Sequence, residues 1–489
     1  MDNITSVGFF IPELFLTAAI IAVIIVDLIV KNAGKIVTPL LSVGSLLVAL
    51  FLAYAQYEMG LKSLFFGMIV LDPLSVFFKI FVSIATIVII FFSLSLKNIK
   101  SEYYVLLLII NLGMYLMSSA SDLLMMLVSL EIVGLSSYVL AGIYKNNTRS
   151  SEAALKYVLY GAASTGIMAY GMSLLYGMTG ETNLYAIQKY LIEFQPYSLS
   201  VFISVILILA GLGYKVAMVP FHFWVPDVYE GAPTPITAFF SVAPKAAGLA
   251  LMVRFMTSTV GHQVSAGAME WLQNIEINAP LLIAILSVLT MTLGNFVALQ
   301  QKNVKRMMAY SSIAHAGYVL MAFVVFNKQG YEAVMFYMFV YMLMNFGAFW
   351  VIHLVAEKLG SEDITAYHGL GYRAPFAAVS MAVFMFSLTG LPPLAGFIGK
   401  FYLFAAIINE HWYWLALAGV LNSVVSLYYY AGVAKAMFLV KAENEEAVSF
   451  PLFDRVLIGA MAVPTLIFGV YWSPIIKWTS QSIKIFTGN

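Results

Sequence analysis

The 489-residue sequence contains no cysteine. Disulfides, thiolate-bound zinc and cysteine-ligated iron–sulfur clusters are therefore excluded from this chain. Charge is scarce as well. Asp, Glu, Lys and Arg make up 10% of the residues, where an ordinary soluble domain carries about 25%. Net charge is only +1, so there is no basic footprint for a nucleic acid. The alternating ten-residue segments of a membrane β-barrel are also missing. What remains in abundance is apolar: 62% hydrophobic residues, with a mean hydropathy of +0.91. A soluble globular chain and a disordered one are both ruled out, and the solvent that suits such a surface is lipid.

Apolar stretches long enough to cross a bilayer as helices recur along almost the whole chain. Fourteen are counted, at 11–30, 36–55, 73–94, 103–120, 122–143, 152–176, 198–229, 234–256, 279–299, 304–326, 331–356, 375–408, 412–437 and 453–473. The expected fold is an all-α integral membrane protein with short loops and no water-soluble domain. No basic residue precedes the first span, so it reads as a retained helix and not as a cleavable signal. Lys and Arg set the orientation. With the N-terminus outside, the inside loops hold 14 of them (Lys31, Lys35, Lys97, Lys100, Lys145, Arg149, Lys302, Lys305, Arg306, Lys358, Arg373, Lys435, Lys441, Arg455). The outside loops and C-terminus hold 6 (Lys62, Lys189, Arg254, Lys328, Lys477, Lys484). Both termini are thus expected outside.

Five lysines are left inside spans: Lys79, Lys156, Lys215, Lys245 and Lys400, and Glu131 sits mid-span in LLMMLVSLEIVGLSSYVL. Each such group costs about 2.5–3.5 kcal/mol to insert. Lys79 lies near its helix start and is expected to snorkel to the interface, whereas Lys156 is expected to point inward. Lys215, Lys245, Lys400 and Glu131 are too central for snorkelling. One acid cannot pair closely with three separated lysines. At least two amines are therefore expected to be neutral or to share protons with water, because burial disfavours the charged form. Alternating lysine and glutamate in a low dielectric is the chemistry of a proton relay. His315, in KRMMAYSSIAHAGYVL, has Ser311, Ser312 and Gly317 beside it, which leave space for water, and histidine as a residue type carries protons well. His222 follows Lys215 by seven residues, two helical turns, and is expected to share its face. His262, His353, His368 and His411 are given no role.

Two spans are overlong. Residues 198–229 carry Lys215, Pro220 and Pro226, and residues 375–408 carry GLPPLAGFIGK with Lys400 after the prolines. Proline breaks helical hydrogen bonding, and open backbone at membrane depth is tolerated only inside protein or beside water. Broken helices in corresponding positions of two halves mark an inverted-repeat transporter with its ion path at the breaks. The division expected is three N-terminal helices in 1–100, a first five-helix repeat in 103–256 and a second in 279–437. A final helix and tail occupy 438–489. The broken helix is fourth in each repeat.

EIVGLSSYVL around Glu131, GYKVAMVPFHFWVPDVYEGAPTPITAF over 213–239 and KRMMAYSSIAHAGY over 305–318 resemble the antiporter-like subunits of respiratory complex I. Multisubunit cation/proton antiporters and membrane-bound hydrogenases belong to the same wider set. The resemblance covers roughly residues 70–440, and the first 60 residues carry no motif. SLTGLPPLAGFIGKFY (387–402) resembles the subunit N branch; subunit M usually has glutamate where Lys400 stands. Subunit L usually extends into a long lateral helix, and about 16 residues follow the last span here. The resemblance implies roles for the fifth-span Glu131, the seventh-span Lys215, the bridging Lys245 and the twelfth-span Lys400. Lys156 matches a sixth-span lysine of subunit N.

It further implies a subunit of a proton-translocating NADH:quinone oxidoreductase in the bacterial inner (plasma) membrane, with both termini periplasmic. No cofactor is expected in this chain; NADH, flavin, iron–sulfur clusters and quinone are expected in other subunits. The expected partners are further membrane subunits, antiporter-like ones among them, and membrane lipid, with no nucleic acid. Protons would reach Lys215, held charged by Glu131, and pass through Lys245 and His315 to Lys400. A cation/proton antiporter or hydrogenase subunit is the alternative. Sodium is disfavoured because its sites call for acidic oxygens and one mid-span acid is obvious. An organic-anion carrier fits poorly with Glu131 in the row, and a passive scaffold leaves the central lysines unexplained.

Overall fold

The structure is a computed structural model and describes every residue except 31–33, 35, 97–98, 266–267, 272–277, 443–445 and 488–489. Of 262–265, 268–271 and 484–487 it describes the backbone alone. Lys31, Lys35 and Lys97, and the Lys484 side chain, therefore lie outside the described residues.

The N-terminal unit comprises α1 (Asn3–Val7), α2 (Ile11–Ile29), α3 (Val37–Ala55) and α4 (Pro73–Ser93). A small antiparallel hairpin precedes α4, in which β1 (Lys62–Leu64) pairs with β2 (Ile69–Leu71), Lys62 opposite Leu71. Asp72 starts α4 with a capping box, its carboxylate accepting from the Ser75 backbone N–H while the Ser75 hydroxyl accepts from the Asp72 N–H.

The first repeat contains α5 (Ser101–Ser119), α6 (Leu123–Ala141), α7 (Thr148–Thr179), the short α8 (Leu184–Phe194), α9 (Ser198–Val216), α10 (Trp224–Gly231) and α11 (Thr234–Phe255). A second hairpin, β3 (Gly261–Ser265) with β4 (Ala268–Trp271), leads to the second repeat. That repeat contains α12 (Ala279–Ala298), α13 (Val304–Met321), α14 (Lys328–Leu359), the short α15 (Leu370–Arg373), α16 (Pro375–Thr389), α17 (Ala395–Asn409) and α18 (Tyr413–Leu439). The chain ends with α19 (Leu452–Val470) and α20 (Ser473–Thr487).

Among the described residues, twelve helices are long and apolar enough to cross a membrane. Two more crossings complete the expected fourteen: α13, whose start is occupied by Lys305 and Arg306, and the split pair α16–α17. The chain is a multi-pass membrane protein.

The repeats match in detail. Their third helices, α7 and α14, are each 32 residues long, longer than the expected 152–176 and 331–356. Each is capped at the start by an asparagine, Asn147 or Asn327, and at the end by a left-handed glycine, Gly180 or Gly360. After each glycine the chain returns to bridge the start of its second helix. The Leu123 N–H donates to the Thr182 carbonyl and Leu184 to Ser121; Val304 donates to Glu362 and Ile364 to Lys302. Five crossings per repeat is an odd number, so the second repeat enters from the opposite face and is inverted. Each repeat contains a helix almost wholly sheathed by protein, α11 in the first and α14 in the second, and the two pack against each other.

Two expectations are corrected. The tail after the last span is not a simple extension, because α20 folds back against α4 and α14, with Trp478 packed 4.4 Å from Phe77. Arg254, expected in an outside loop, is inside α11 and fully buried. It makes a two-pronged ion pair with Asp72, Nη1–Oδ2 2.8 Å and Nη2–Oδ1 3.0 Å. The partner lies 182 residues away, beyond any local pattern.

Candidate functional site

Both overlong spans are broken where the prolines stand. In the first, α9 ends at Val216 and Ala217 turns left-handed, which costs a non-glycine residue about 1–3 kcal/mol. The Trp224 indole in the second half donates to the Tyr214 carbonyl at 3.1 Å, which also accepts from the Ala217 N–H, and stacks on Tyr157 at 4.4 Å, holding the two halves together. In the second break Gly390 supplies the same left-handed turn without that penalty, at φ +92°. The two lysines occupy opposite sides of their breaks: Lys215 in the last turn before the first, Lys400 within α17 after the second.

Lys215, Lys245, Lys400 and His315 are all buried. Lys215 packs its stem on α11 at Gly248, where a Cβ would come within 3.1 Å of the lysine Cγ. Gly248 is one turn beyond Lys245, so the two lysines neighbour each other along α11. Lys245 reaches across to α13 and donates to the Ser312 carbonyl at 3.0 Å and its hydroxyl at 2.9 Å. Helical spacing on α13 then carries the row onward through His315 and Tyr318, each three residues further. One His315 nitrogen, Nδ1, meets the Tyr337 hydroxyl of α14, and Nε2 meets Tyr430 of α18 at 3.1 Å. The Lys400 ammonium lies 4.3 Å from the centre of the Tyr318 ring and donates to the Thr389 carbonyl at 2.8 Å and to Ser423 at 3.1 Å. It thereby caps the C-terminal end of α16, where a cation is favoured.

A cavity of about 10 Å³, close to what one water needs, is lined by Val216, Lys245, Ser312, His315, Tyr337 and Tyr341 among others. Lys245, His315 and Lys400 thus form a row in which each has a hydroxyl partner, with room for a water beside Lys245 and His315. Among the described residues no acid lies within ion-pairing distance of Lys215, Lys245 or Lys400. Glu131 is half-buried on α6. Its charge reaches Lys215, Tyr138 and Tyr214 without direct contact with the amine.

Comparison with known proteins decides what this arrangement belongs to. The family described as NADH:quinone oxidoreductase/Mrp antiporter, TM, matches residues 120–426. The chain is 43% identical over 497 residues to NADH-quinone oxidoreductase subunit N of Chlorobium chlorochromatii, covering 98% of this chain and 95% of the relative. It is also 43% identical over 512 residues to the subunit N of Anaeromyxobacter sp., covering 100% and 98%. The chain belongs to this family, in its subunit N branch. A chain of respiratory complex I from Thermus thermophilus superposes with a TM-score of 0.80 at 31% identity, covering 95% of this chain and 98% of that one. A chain of the Mrp complex from Dietzia sp. shares the fold, with a TM-score of 0.83 at 18% identity over 98% and 97%.

Other candidate residues of this subunit N chain fall elsewhere. His222 does not share a face with Lys215, because the break intervenes and helical spacing no longer applies. It is buried, and its Nδ1 has no partner among the described residues. Lys156 is half-buried at a rim and not in the row. It pairs with Asp227 at 2.6 Å and Glu152 at 2.7 Å. Asp227 also binds Arg306 at 2.9 Å, and Arg306 binds Glu230 at 2.6 Å. Lys305, expected in a loop, is buried beneath this network and pairs with Glu362 at 3.3 Å. These ions border a polar vestibule of about 600 Å³ lined by Tyr144, Arg149, Glu230, Lys305, His353 and Glu362 among others. Its lining comes from five connections that alternate crossing places on one face of the membrane. Among the described residues no group of three or more potential metal ligands is found.

The rim acids, Tyr318 and the tyrosines on α14 and α18 were missed in the sequence, and Ser311 and Ser312 were noted beside His315 but not as partners of Tyr430 and Lys245. A usable signal was present in the helical spacing of Ser312, His315 and Tyr318. Because the rim pairs are partly exposed, Arg306→Ala is expected to cost about 1 kcal/mol or less, read as a small melting shift of the purified assembly. A loss several times larger would mean that the network is effectively buried.

Proposed function

We propose that this chain is an antiporter-like subunit of an NADH:quinone oxidoreductase and translocates protons through Lys215, Lys245, His315 and Lys400. The carrying observation is the buried row itself: three amines with no acid in ion-pairing distance among the described residues, Lys245 and Lys400 with serine hydroxyl partners and His315 between them with tyrosine hydroxyls, at two broken helices. Such groups are expensive at membrane depth and mark proton relays. Glu131 acts on Lys215 from the protein wall, where a neighbouring subunit can alter it. An opposite charge brought nearer favours the ammonium, and one withdrawn favours proton release. Protons enter from the vestibule, and Lys156 with its acids collects them at the rim. His222 serves the first break.

Redox energy arrives from other subunits, which carry NADH, flavin, iron–sulfur clusters and quinone. The partners are further membrane subunits, and the complex resides in the bacterial inner membrane with both termini of this chain periplasmic. Residues 103–256 and 279–437 act as the two repeats of the transport unit.

The test is pumping per electron in the assembled complex bearing Lys215→Ala or Glu131→Ala. Each substitution is expected to remove this chain's share of the protons moved, the lysine more completely. Unchanged stoichiometry with intact assembly overturns the reading. A subunit inventory by mass spectrometry separates it from a cation/proton antiporter, which lacks flavin and iron–sulfur partners.

A further inference from the structure

The N-terminal helices hold a second buried pair that the row above does not use. Lys79 was expected to snorkel; instead it is buried, with Nζ 2.5 Å from Glu13 Oε1 of α2. Neither side chain is more than 3% exposed, and beyond the Lys79 ammonium the Glu13 carboxylate has no hydrogen-bond partner among the described residues. Stability is a poor reason to keep such a pair, since apolar replacement of both partners is often neutral or better.

Polar groups continue from the pair along the seam between α4 and α5. The Lys79 ammonium lies 5.8 Å from the Tyr115 ring centre, and the Tyr115 hydroxyl bonds Ser83 at 2.6 Å. One turn on, Thr86 donates to Asn111 Oδ1 at 3.0 Å, and the Asn111 side chain also reaches the Tyr115 hydroxyl. Further along, Ser93 meets Tyr103 at 2.5 Å, and beyond the helix end Ser95 meets His353, a lining residue of the vestibule, at 2.9 Å. Positions 79, 83, 86 and 93 share one face of α4. Between Thr86 and Ser93 the seam is filled by Ile89, Ile90 and Leu107, so passage there requires a water to enter. Glu13 is one turn from the start of α2, on the face opposite the vestibule.

We infer that Glu13 and Lys79 form a second protonation site of this chain, supplied from the vestibule along the α4–α5 seam. A proton arriving from the Asn111 side adds to the Glu13 carboxylate, and the pair passes from neutral to +1. Release toward the opposite face restores the carboxylate beside the ammonium. No other reactant is needed. The inference rests on the proton-translocating role proposed above.

The test uses the whole complex in vesicles and three variants: Lys215→Ala, the double Glu13→Gln/Lys79→Met, and Asn111→Leu. The double variant removes both charges together, so it is expected to assemble. It and Asn111→Leu are each expected to lower pumping per electron, and infrared difference spectra on turnover are expected to lose a deuterium-sensitive carboxyl band in the double variant. Normal pumping in both, with no band assignable to Glu13, overturns the inference while a deficient Lys215→Ala leaves the main reading standing. If all three pump normally, the main reading fails as well. Loss in the double variant with normal pumping in Asn111→Leu and no band overturns the seam and makes the pair structural.

Discussion

Lys245→Met is expected to leave the complex assembled and to abolish this chain's share of proton pumping. Methionine matches the length of the lysine stem and fills irregular space well, so α11 retains its packing. The variant also removes the cost of an amine that has no acid beside it. What it takes away is the group between Lys215 and His315. Lys215 touches α11 one turn from Lys245, and Lys245 alone reaches Ser312, whose helix carries His315 and Tyr318. Ser312 can rotate its hydroxyl but cannot store a proton near neutral pH. The cavity has room for about one water, too little to carry a proton around the missing amine. The measurement is vectorial proton uptake in vesicles alongside electron transfer. Pumping at the ordinary stoichiometry by an assembled Lys245→Met complex would remove Lys245 from the path.

Ser312→Ala gives a graded comparison. The Ser312 carbonyl still accepts from Lys245, so one of its two hydrogen bonds to α13 survives. Pumping is expected to fall less than in Lys245→Met, because the amine stays in place.

The crossings, the two breaks and the central lysines were legible in the sequence for a common reason. A charge or a proline inside twenty apolar residues is a contrast that needs no knowledge of neighbours. Lys215, Lys245, Lys400 and His315 were found that way, and their burial follows. The things missed are all relations between distant segments. Lys79 looked interfacial because it lies near a helix start, yet Glu13 waits on another helix 66 residues earlier. Arg254 and Lys305 sit at the ends of apolar runs, where a basic residue reads as a loop anchor. Their acids, Asp72 capping α4 and Glu362 in the connection after α14, come from elsewhere in the chain and draw them inside. His222 was placed by counting turns across a break that the same sequence had already announced.

Element ends failed for another reason. The extra turns of α7 and α14 begin with polar stretches, Thr148–Ser151 and Lys328–Gln329, which a hydropathy reading trims away. The short helices α8 and α20 are amphipathic and mixed in composition, so they carry too little apolar signal to stand out as spans. Apart from Ser311 and Ser312, the hydroxyl partners were invisible because serine and tyrosine are ordinary residues in membrane helices. Only their meeting with Lys245, His315 and Lys400 gives them meaning.

The largest stability effect is expected at a pair outside the relay. Asp72 and Arg254 are both fully buried, and the guanidinium also donates to the Ser118 carbonyl through Nε at 3.2 Å and Nη2 at 2.9 Å. This pair joins the start of α4 to the end of α11, and so the N-terminal unit to the first repeat. Asp72→Ala leaves a permanently charged guanidinium in a dry site, which costs about 3–5 kcal/mol, with about 1 kcal/mol more for the lost α4 cap. Such a chain is expected to be absent from the purified complex or to dissociate from it at markedly lower temperature. The double variant Asp72→Ala/Arg254→Met removes the stranded charge. It is expected to recover most of the loss, falling short by the cap and by the unpaired Ser118 carbonyl. Thermal dissociation followed by native gel and mass spectrometry distinguishes the two. If the double variant is as unstable as the single one, the carboxylate matters mainly as a cap and the ion pair contributes little. Recovery means that the damage comes from the uncompensated charge, and that the join between the two units depends on both partners being present or both being absent.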